Sequence, residues 1–257
     1  MRILFLGDIV GRPGRAVVRE QVRRVREQAG IDLVFANGEN ASGGFGLSAR
    51  NASELFGAGI DGMTGGNHTW KFRNLWNLLD TDERLLRPHN YPVGAPGSGV
   101  RVFRREGRAP VAVINLQGRT FMPPVDCPFA AAEAALAELD DVVIRIVDFH
   151  AEASGEKQAL AWFLDGRVSA VLGTHTHTQT NDAVVLPGGT AYITDLGMCG
   201  PMGSCIGMRP EIIIDRYRTG LPGVLEVAPG KGVLHGAVFD IDDTTGTAVS
   251  IVPFRQE

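Results

Sequence analysis

Short, wholly apolar runs alternate along the chain with stretches whose apolar residues recur every three or four positions, the rhythm of strands and helices taken in turn. Ile3 to Leu6, Leu33 to Ala36, Val111 to Leu116, Val142 to Phe149 and Val168 to Leu172 read as strands of the interior, and Ile60 to Met63 as a weaker one. Between them the pattern predicts helices over Arg15 to Gln28, where Val18, Val22 and Val25 keep helical spacing and Gly30 is the stop, and over Ser48 to Phe56, with Ser48 as the cap. Asn74 to Leu79, the alanine-rich Ala130 to Leu139, and Glu156 to Leu164 complete the helical set. From Thr190 onward the helical pattern fades. Ala191 to Thr194, Val233 to Ile241 and Thr247 to Phe254 read as strands joined by Gly, Pro and Asp turns, which should add antiparallel strands. The expectation is an α/β protein with a largely parallel sheet. No fixed-period repeat or low-complexity linker interrupts it, and Pro88 to Gly99 is too short to separate one domain from another, so residues 1–257 are expected to form a single domain.

The polar residues that interrupt this pattern fall at particular places. Asp8 follows the first run, Glu39 and Asn40 the second, Asn67 and His68 the weak third, His150 the run ending at Phe149, and His175 with His177 the run ending at Leu172. In α/β sheets the carboxyl ends of strands form the ligand crevice, so one rim would collect all of these groups. Singly, each has a plainer explanation: Asp8 as a turn residue, Glu39 as a solvated loop carboxylate, His68 or His150 as a hydrogen-bonded structural histidine. His175-Thr176-His177 is sharper, because residues two apart in an extended segment share a face, which would leave Thr174, Thr176 and Thr178 on the other. Four of the six histidines sit at predicted strand ends, leaving His89 and His235 as ordinary ones.

Three imidazoles with carboxylate and carboxamide oxygens suit manganese, iron, cobalt or zinc better than magnesium, and the lack of cysteine among them argues against a closed structural zinc site. Two divalent ions facing Asp8, Glu39 and one hydroxide would keep a net positive charge, which matches an anionic phosphodiester. Such ions about 3.5–4 Å apart acidify a bridging water and clamp phosphate oxygens, so attack would need no protein base.

Composition narrows the partners. At 44% hydrophobic and 21% charged residues, the 257-residue chain has a globular balance. A net charge of −4 without a block of like charge speaks against an extensive nucleic-acid surface. The arginines at 19, 23, 24 and 26 read as a solvated helix face. Cys127, Cys199 and Cys205, an odd number without paired spacing, fit a reducing compartment. With no signal-peptide pattern and no run of membrane-spanning length, the cytoplasm is the expected location.

The ordered blocks Gly7-Asp8, Gly38-Glu39-Asn40, Gly66-Asn67-His68, Asp148-Phe149-His150-Ala151-Glu152 and Gly173-Thr174-His175-Thr176-His177 resemble those of the calcineurin-like metallophosphoesterases. The run from Gly7 to Gly14, Gly66 to Trp70, Arg87-Pro88 through Asn90-Tyr91-Pro92, and Pro187 to Tyr192 resemble its YmdB-like branch, over almost the whole chain. The resemblance implies a four-layer α/β/β/α sandwich with a dinuclear centre, iron or manganese first and zinc or cobalt next, acting on 2',3'-cyclic nucleotides among other phosphodiesters. It implies Glu39 as the bridge between the ions. Asp8, Asn40 and His177 would complete one shell, Asn67, His150 and His175 the other, and His68 would donate the proton to the leaving group. Two positions depart from the wider superfamily: its first block is Asp-x-His, whereas Ile9 and Val10 follow Asp8, and glutamate replaces aspartate at 39. Asn40 is expected to stand in for the missing imidazole.

Two rivals use the same residues. Gly7, Gly11 and Gly14 after the first strand loosely suggest a dinucleotide fold, but the spacing is not G-x-G-x-x-G and the histidines go unexplained. A regulatory protein that binds RNA or another protein while keeping the metal site is the second; the intact His68 favours catalysis over it. The glycine-rich segment from Gly43 to Gly46 reads as a turn before a phosphate cradle. Met198 to Met208 is left open as lid, interface or loop, and so is oligomeric state, a homo-oligomer included.

Overall fold

The computed structural model describes residues 1–257 and contains twelve strands and six helices. The first half runs β1 (Arg2–Ile9), α1 (Gly11–Ala29), β2 (Leu33–Asn37), α2 (Ala49–Gly57), β3 (Gly62–Thr64), α3 (Arg73–Thr81), β4 (Val100–Phe103), β5 (Val111–Gln117) and α4 (Pro128–Ala137). The second half runs β6 (Ile144–His150), α5 (Ser154–Leu164), β7 (Ala170–Thr174), β8 (Val184–Val185), β9 (Ala191–Ile193), β10 (Met198–Pro201), α6 (Pro210–Thr219), β11 (Gly232–Ile241) and β12 (Ala248–Gln256). Two six-stranded sheets result, ordered β12-β11-β10-β1-β2-β3 and β4-β5-β6-β7-β9-β8. Their centres are parallel, and β11, β12, β4 and β8 add the antiparallel pairings.

The apolar runs are continuous because alternate residues enter different cores. Ile3, Phe5, Leu33 and Phe35 point between the sheets, where they meet Val111, Val113, Ile144 and Ile146. Leu4, Leu6, Val34 and Ala36 point outward to Val18, Val22 and Leu55 of α1 and α2. On the far side Ile114, Val147 and Phe149 pack against Ala132, Leu136 and Leu160 of α4 and α5. Three cores therefore separate four layers, helix, sheet, sheet, helix, as the resemblance implied.

Several boundaries differ from the sequence pattern. Helix α1 begins at Gly11 rather than Arg15, because Pro13 lies in the first turn, where no backbone N–H is needed. Gly30 ends it in the left-handed region at φ +62°, and the Ser48 hydroxyl caps α2 by accepting from the Asn51 N–H, both as predicted. The arginines of α1 are less free than a solvated face: Arg19 pairs with Glu54, and Arg23 and Arg26 donate to the carbonyls of Gly57 and Gly59. The helical pattern does not end at Thr190. Helix α6 lies beyond it, missed because Ile212, Ile213 and Ile214 in succession carry no helical period and no residue of the helix is buried. Strands β4, β8 and β10 were also missed. The first four residues of Met198–Met208 are β10, inserted beside β1, and the remainder is a loop. No helix is long and apolar enough to cross a membrane.

Candidate metal centre

Every metal-ligand and proton-donor candidate singled out by the sequence lies at or just beyond the carboxyl end of a parallel strand, β1, β2, β3, β6 or β7, and the two sheets bring them to one place. At the end of β1 the register against β2 slips between Leu6 and Asp8. A Cβ on Gly7 would stand 1.9 Å from the Gly197 carbonyl oxygen, so only glycine allows this approach, and the irregularity re-aims the Asp8 carboxylate. After β2, the Asn37 side chain accepts from the Glu39 N–H at 3.1 Å and fixes a turn carrying Glu39 and Asn40. After β3, the Thr69 hydroxyl accepts from the Gly66 N–H and donates to its carbonyl, holding the loop that carries Asn67 and His68. His150 closes β6; His175 and His177 follow β7.

The last pair does not converge by strand alternation. His175 and His177 have φ of +101° and +64°, a left-handed turn that non-glycine residues adopt only where surrounding contacts hold them. The threonines are correspondingly not on a spare outer face. Thr174 donates to Asp148 at 2.7 Å, and Thr176 donates to Asp195 through its N–H at 3.0 Å and its hydroxyl at 2.8 Å. Asp195 is fully buried against the Lys157 ammonium of α5 at 2.8 Å and also accepts from the Gly197 N–H.

Hydrogen bonding assigns the ring nitrogens of the cluster. His150 Nδ1 lies 3.0 Å from the Thr174 hydroxyl, which gives its own hydrogen to Asp148, so Nδ1 donates and Nε2 turns a lone pair inward. His175 Nε2 donates to Glu152 at 3.1 Å, leaving Nδ1 inward; His177 Nδ1 donates to the Ile206 carbonyl at 2.8 Å, leaving Nε2 inward. The inward nitrogens of His150 and His175 are 3.1 Å apart, and His150 Nε2 is 3.2 Å from Glu39 Oε1 and 3.1 Å from Asn67 Oδ1. Asn40 Nδ2 is 3.1 Å from His177 Nε2, and Asp8 Oδ1 is 3.6 Å from the same nitrogen.

Charge in this site is one-sided. Asp8 and Glu39 are buried with no lysine or arginine partner, and Asp8 Oδ1 has no hydrogen bond at all. Burial alone would raise both carboxyls, but His177 and His150 hold Asp8 below the usual carboxylate range, and His150 with His68 holds Glu39 well below it. Burial opposes charge on His150, yet Glu39 and Asp8 raise it to about 9, so without a cation at the site its inward Nε2 holds a proton at neutral pH, which a bound cation would displace; burial and the facing His150 push His175 down to about 3. His177 is raised, Asp8 outweighing burial. Burial lifts Asp148 to about 6 despite the neighbouring His150. Two ionised carboxylates and three inward imidazole nitrogens, each ring fixed from outside by an acceptor, are a donor set that could hold a divalent cation, with its supporting shell. Glu39, His150 and His175 place ligand atoms within 4.8 Å of one another. A Cβ on Gly66 would meet Glu39 Oε2 and His150 Nε2 at 2.4 Å, so the space at that point belongs to the cluster.

His68 is the partly open member, its side chain 31% exposed. Its Nδ1 faces two acceptors, Glu39 Oε1 at 3.0 Å and Asn40 Oδ1 at 2.9 Å, so Nδ1 carries hydrogen and Nε2, 3.2 Å from the Asn67 amide nitrogen, is left to exchange a proton. A cleft of about 460 Å³ opens over His68, Glu39, His175 and His177. The supporting residues Asp148, Thr174, Asp195, Lys157 and Glu152 were not assigned roles from sequence. Asp148 and Glu152 lie in the His150 block and Thr174 in the His175 block, the signal that could have found these three.

A family model described as YmdB-like protein matches residues 4–254. The 2',3'-cyclic-nucleotide 2'-phosphodiesterase of Bacillus subtilis (strain 168) is 49% identical over 252 residues, spanning 98% of this chain and 95% of that protein. Among solved structures, a hypothetical protein from Thermus thermophilus superposes with a TM-score of 0.94 at 42% identity, covering 100% of this chain and 99% of the other. A phosphatase from Mycoplasma pneumoniae gives a TM-score of 0.94 at 34% identity, covering 100% and 93%.

Proposed function

The chain belongs to the YmdB-like protein family and is a phosphodiesterase, and from that premise we propose that it hydrolyses 2',3'-cyclic nucleotides at a centre of two divalent metal ions. The observation that carries the reading is the buried Asp8–Glu39 pair, facing inward imidazole nitrogens from the second sheet and lacking any lysine or arginine. Asp8, Glu39, Asn40, Asn67, His150, His175 and His177 would hold the ions, iron or manganese before zinc or cobalt. Bound there, such ions supply Lewis acidity and lower the pKa of coordinated water.

The chain's own residues supply the rest. Hydrolysis adds a water oxygen to phosphorus and breaks one P–O bond to the ribose, and the departing alkoxide must take up a proton. As an imidazolium, His68 would deliver it from Nε2 and end the step neutral, keeping the Nδ1 hydrogen on Glu39 and Asn40, which orient the ring. Thr174 with Asp148, Glu152, and the Ile206 carbonyl fix the tautomers of the three inward histidines. Three free thiols support a cytoplasmic setting, and residues 1–257 act as one domain.

His68→Ala should keep its metal content and lose about 10²–10⁴-fold in kcat on a 2',3'-cyclic nucleotide. A diester with a nitrophenolate leaving group, which needs no proton, should lose far less. Equal losses on both substrates reject the donor role; full metal occupancy in Glu39→Ala or His175→Ala rejects the ligand set.

A further inference from the structure

Helix α6 is built into the chain without serving its cores. It rises between β10 and β11 from a clasped root: Met208 bridges Val227, the Arg209 N–H donates to the Glu226 carbonyl at 2.9 Å, and the Arg209 guanidinium lies 3.1 Å from the Glu226 carboxylate. None of its ten residues is buried. Yet Ile213, Arg216 and Tyr217 of the helix, with Leu225 from its return leg, line the same cleft as His68, Glu39, His175 and His177. Stability does not explain such a helix; its contribution is a wall over the reacting groups.

The two sides of the cleft differ in chemistry. One carries the carboxylate, amide and imidazole groups that would take the phosphodiester. The other is apolar, and Arg216 is the one lysine or arginine that lines the cleft, with no carboxylate partner of its own. Tyr217 is 87% exposed, so its ring is free to be covered. Phe45 adds a further aromatic ring, edge-on to His68 at 5.1 Å. The volume of about 460 Å³ lies within the range of small-ligand sites and leaves room beyond a phosphate. A nucleobase offers flat apolar faces and an edge of hydrogen-bond acceptors, the complement of an aromatic ring beside an unpaired guanidinium. A phosphodiester without a base would leave this wall unused.

We propose that α6 is the nucleoside-binding wall of the enzyme, with Tyr217 packing on the face of the base and Arg216 meeting acceptors on its edge. The proposal rests on the cyclic-nucleotide reading above and adds to it how the enzyme selects nucleotides over simpler cyclic esters.

The test compares adenosine 2',3'-cyclic phosphate with 1-O-methylribose 2,3-cyclic phosphate, which has the same ester and no base. Tyr217→Ala should raise KM for the nucleotide about 5- to 100-fold with kcat held, leave kcat/KM for the sugar ester unchanged, and be rescued by Tyr217→Phe. Arg216→Ala should act in the same direction. Calorimetry with adenosine and chelator-treated protein gives a readout independent of turnover: wild type should bind and Tyr217→Ala should bind much more weakly. Equal losses on both esters, or no adenosine binding by wild type, overturn the proposal. So does a variant with unchanged kinetics but an altered sedimentation coefficient, which would make α6 a contact between copies. Loss of adenosine binding in Tyr217→Ala alongside a wild type that hydrolyses neither ester would keep the wall and reject the catalytic reading.

Discussion

His150, His175 and His177 each spend one ring nitrogen on an acceptor outside the cluster and turn the other inward, and this division separates them from His89 and His235. Burial lowers the affinity of those two for a proton, helped by Arg87 at His89, where Glu138 only partly offsets it, and by Arg255 at His235. Residue type and strand-end position were legible in the sequence for all three. The tautomer was not, because it depends on Thr174, Glu152 and the Ile206 carbonyl, ordinary groups whose role comes only from where they stand. Gly66 is the sharpest case of a residue whose meaning is spatial. Glu39 Oε2 is tied to the His68 N–H at 2.9 Å and His150 to Thr174, so neither yields easily to an added methyl group. Gly66→Ala should therefore fold with a melting temperature close to that of metal-free wild type and contain little metal. Wild-type metal content by elemental analysis would show that the site has room the structure denies.

Strand ends were read from apolar runs, and all five predicted runs that precede a chemical group are strands. What failed at this scale was the segment after β7, where the left-handed turn at His175 and His177 replaces the expected extension. Alternation is a local rule, and here tertiary contacts override it: Asp195, anchored by Lys157 of α5, grips both the N–H and the hydroxyl of Thr176 between the two histidines. Thr176→Val removes only the hydroxyl bond and Asp195→Asn weakens the whole clamp. Apparent metal affinity should fall about 10–100-fold in Asp195→Asn and by less in Thr176→Val, as for other supporting groups of metal sites. Titration of metal into apoprotein checks it. A lower melting temperature of the apoprotein with unchanged affinity would make the clamp merely structural.

At the scale of the molecule, the centre is a joint between the sheets. Asp8 and Glu39 come from the sheet containing β1 and β2, whereas His150, His175 and His177 come from that containing β6 and β7, and Asn37 of β2 donates across to Asp148 of β6 at 3.1 Å. An ion held by both sets ties the sheets together, so its binding free energy adds to folding. With metal at 100 times its Kd the gain is about 2.7 kcal/mol, which at about 2–4 °C per kcal/mol for a chain of this size is about 5–10 °C in Tm. Chelation should lower Tm by that amount in wild type and hardly at all in Gly66→Ala. An unshifted wild-type transition in calorimetry would place the ions elsewhere or nowhere.

By itself the sequence determined the order of helices α1 to α5 and of the strands β1, β2, β3, β5, β6 and β7 between them, the donor types and their positions at strand ends, because period and turn chemistry are properties of neighbours in the chain. Tertiary structure alone decided that carboxylates from one sheet face imidazoles from the other, that an unpatterned run of isoleucines forms α6 over the cleft, and that two histidines sit in left-handed geometry. Those outcomes depend on contacts between distant segments, whose free energies outweigh local preference and leave no period in the sequence.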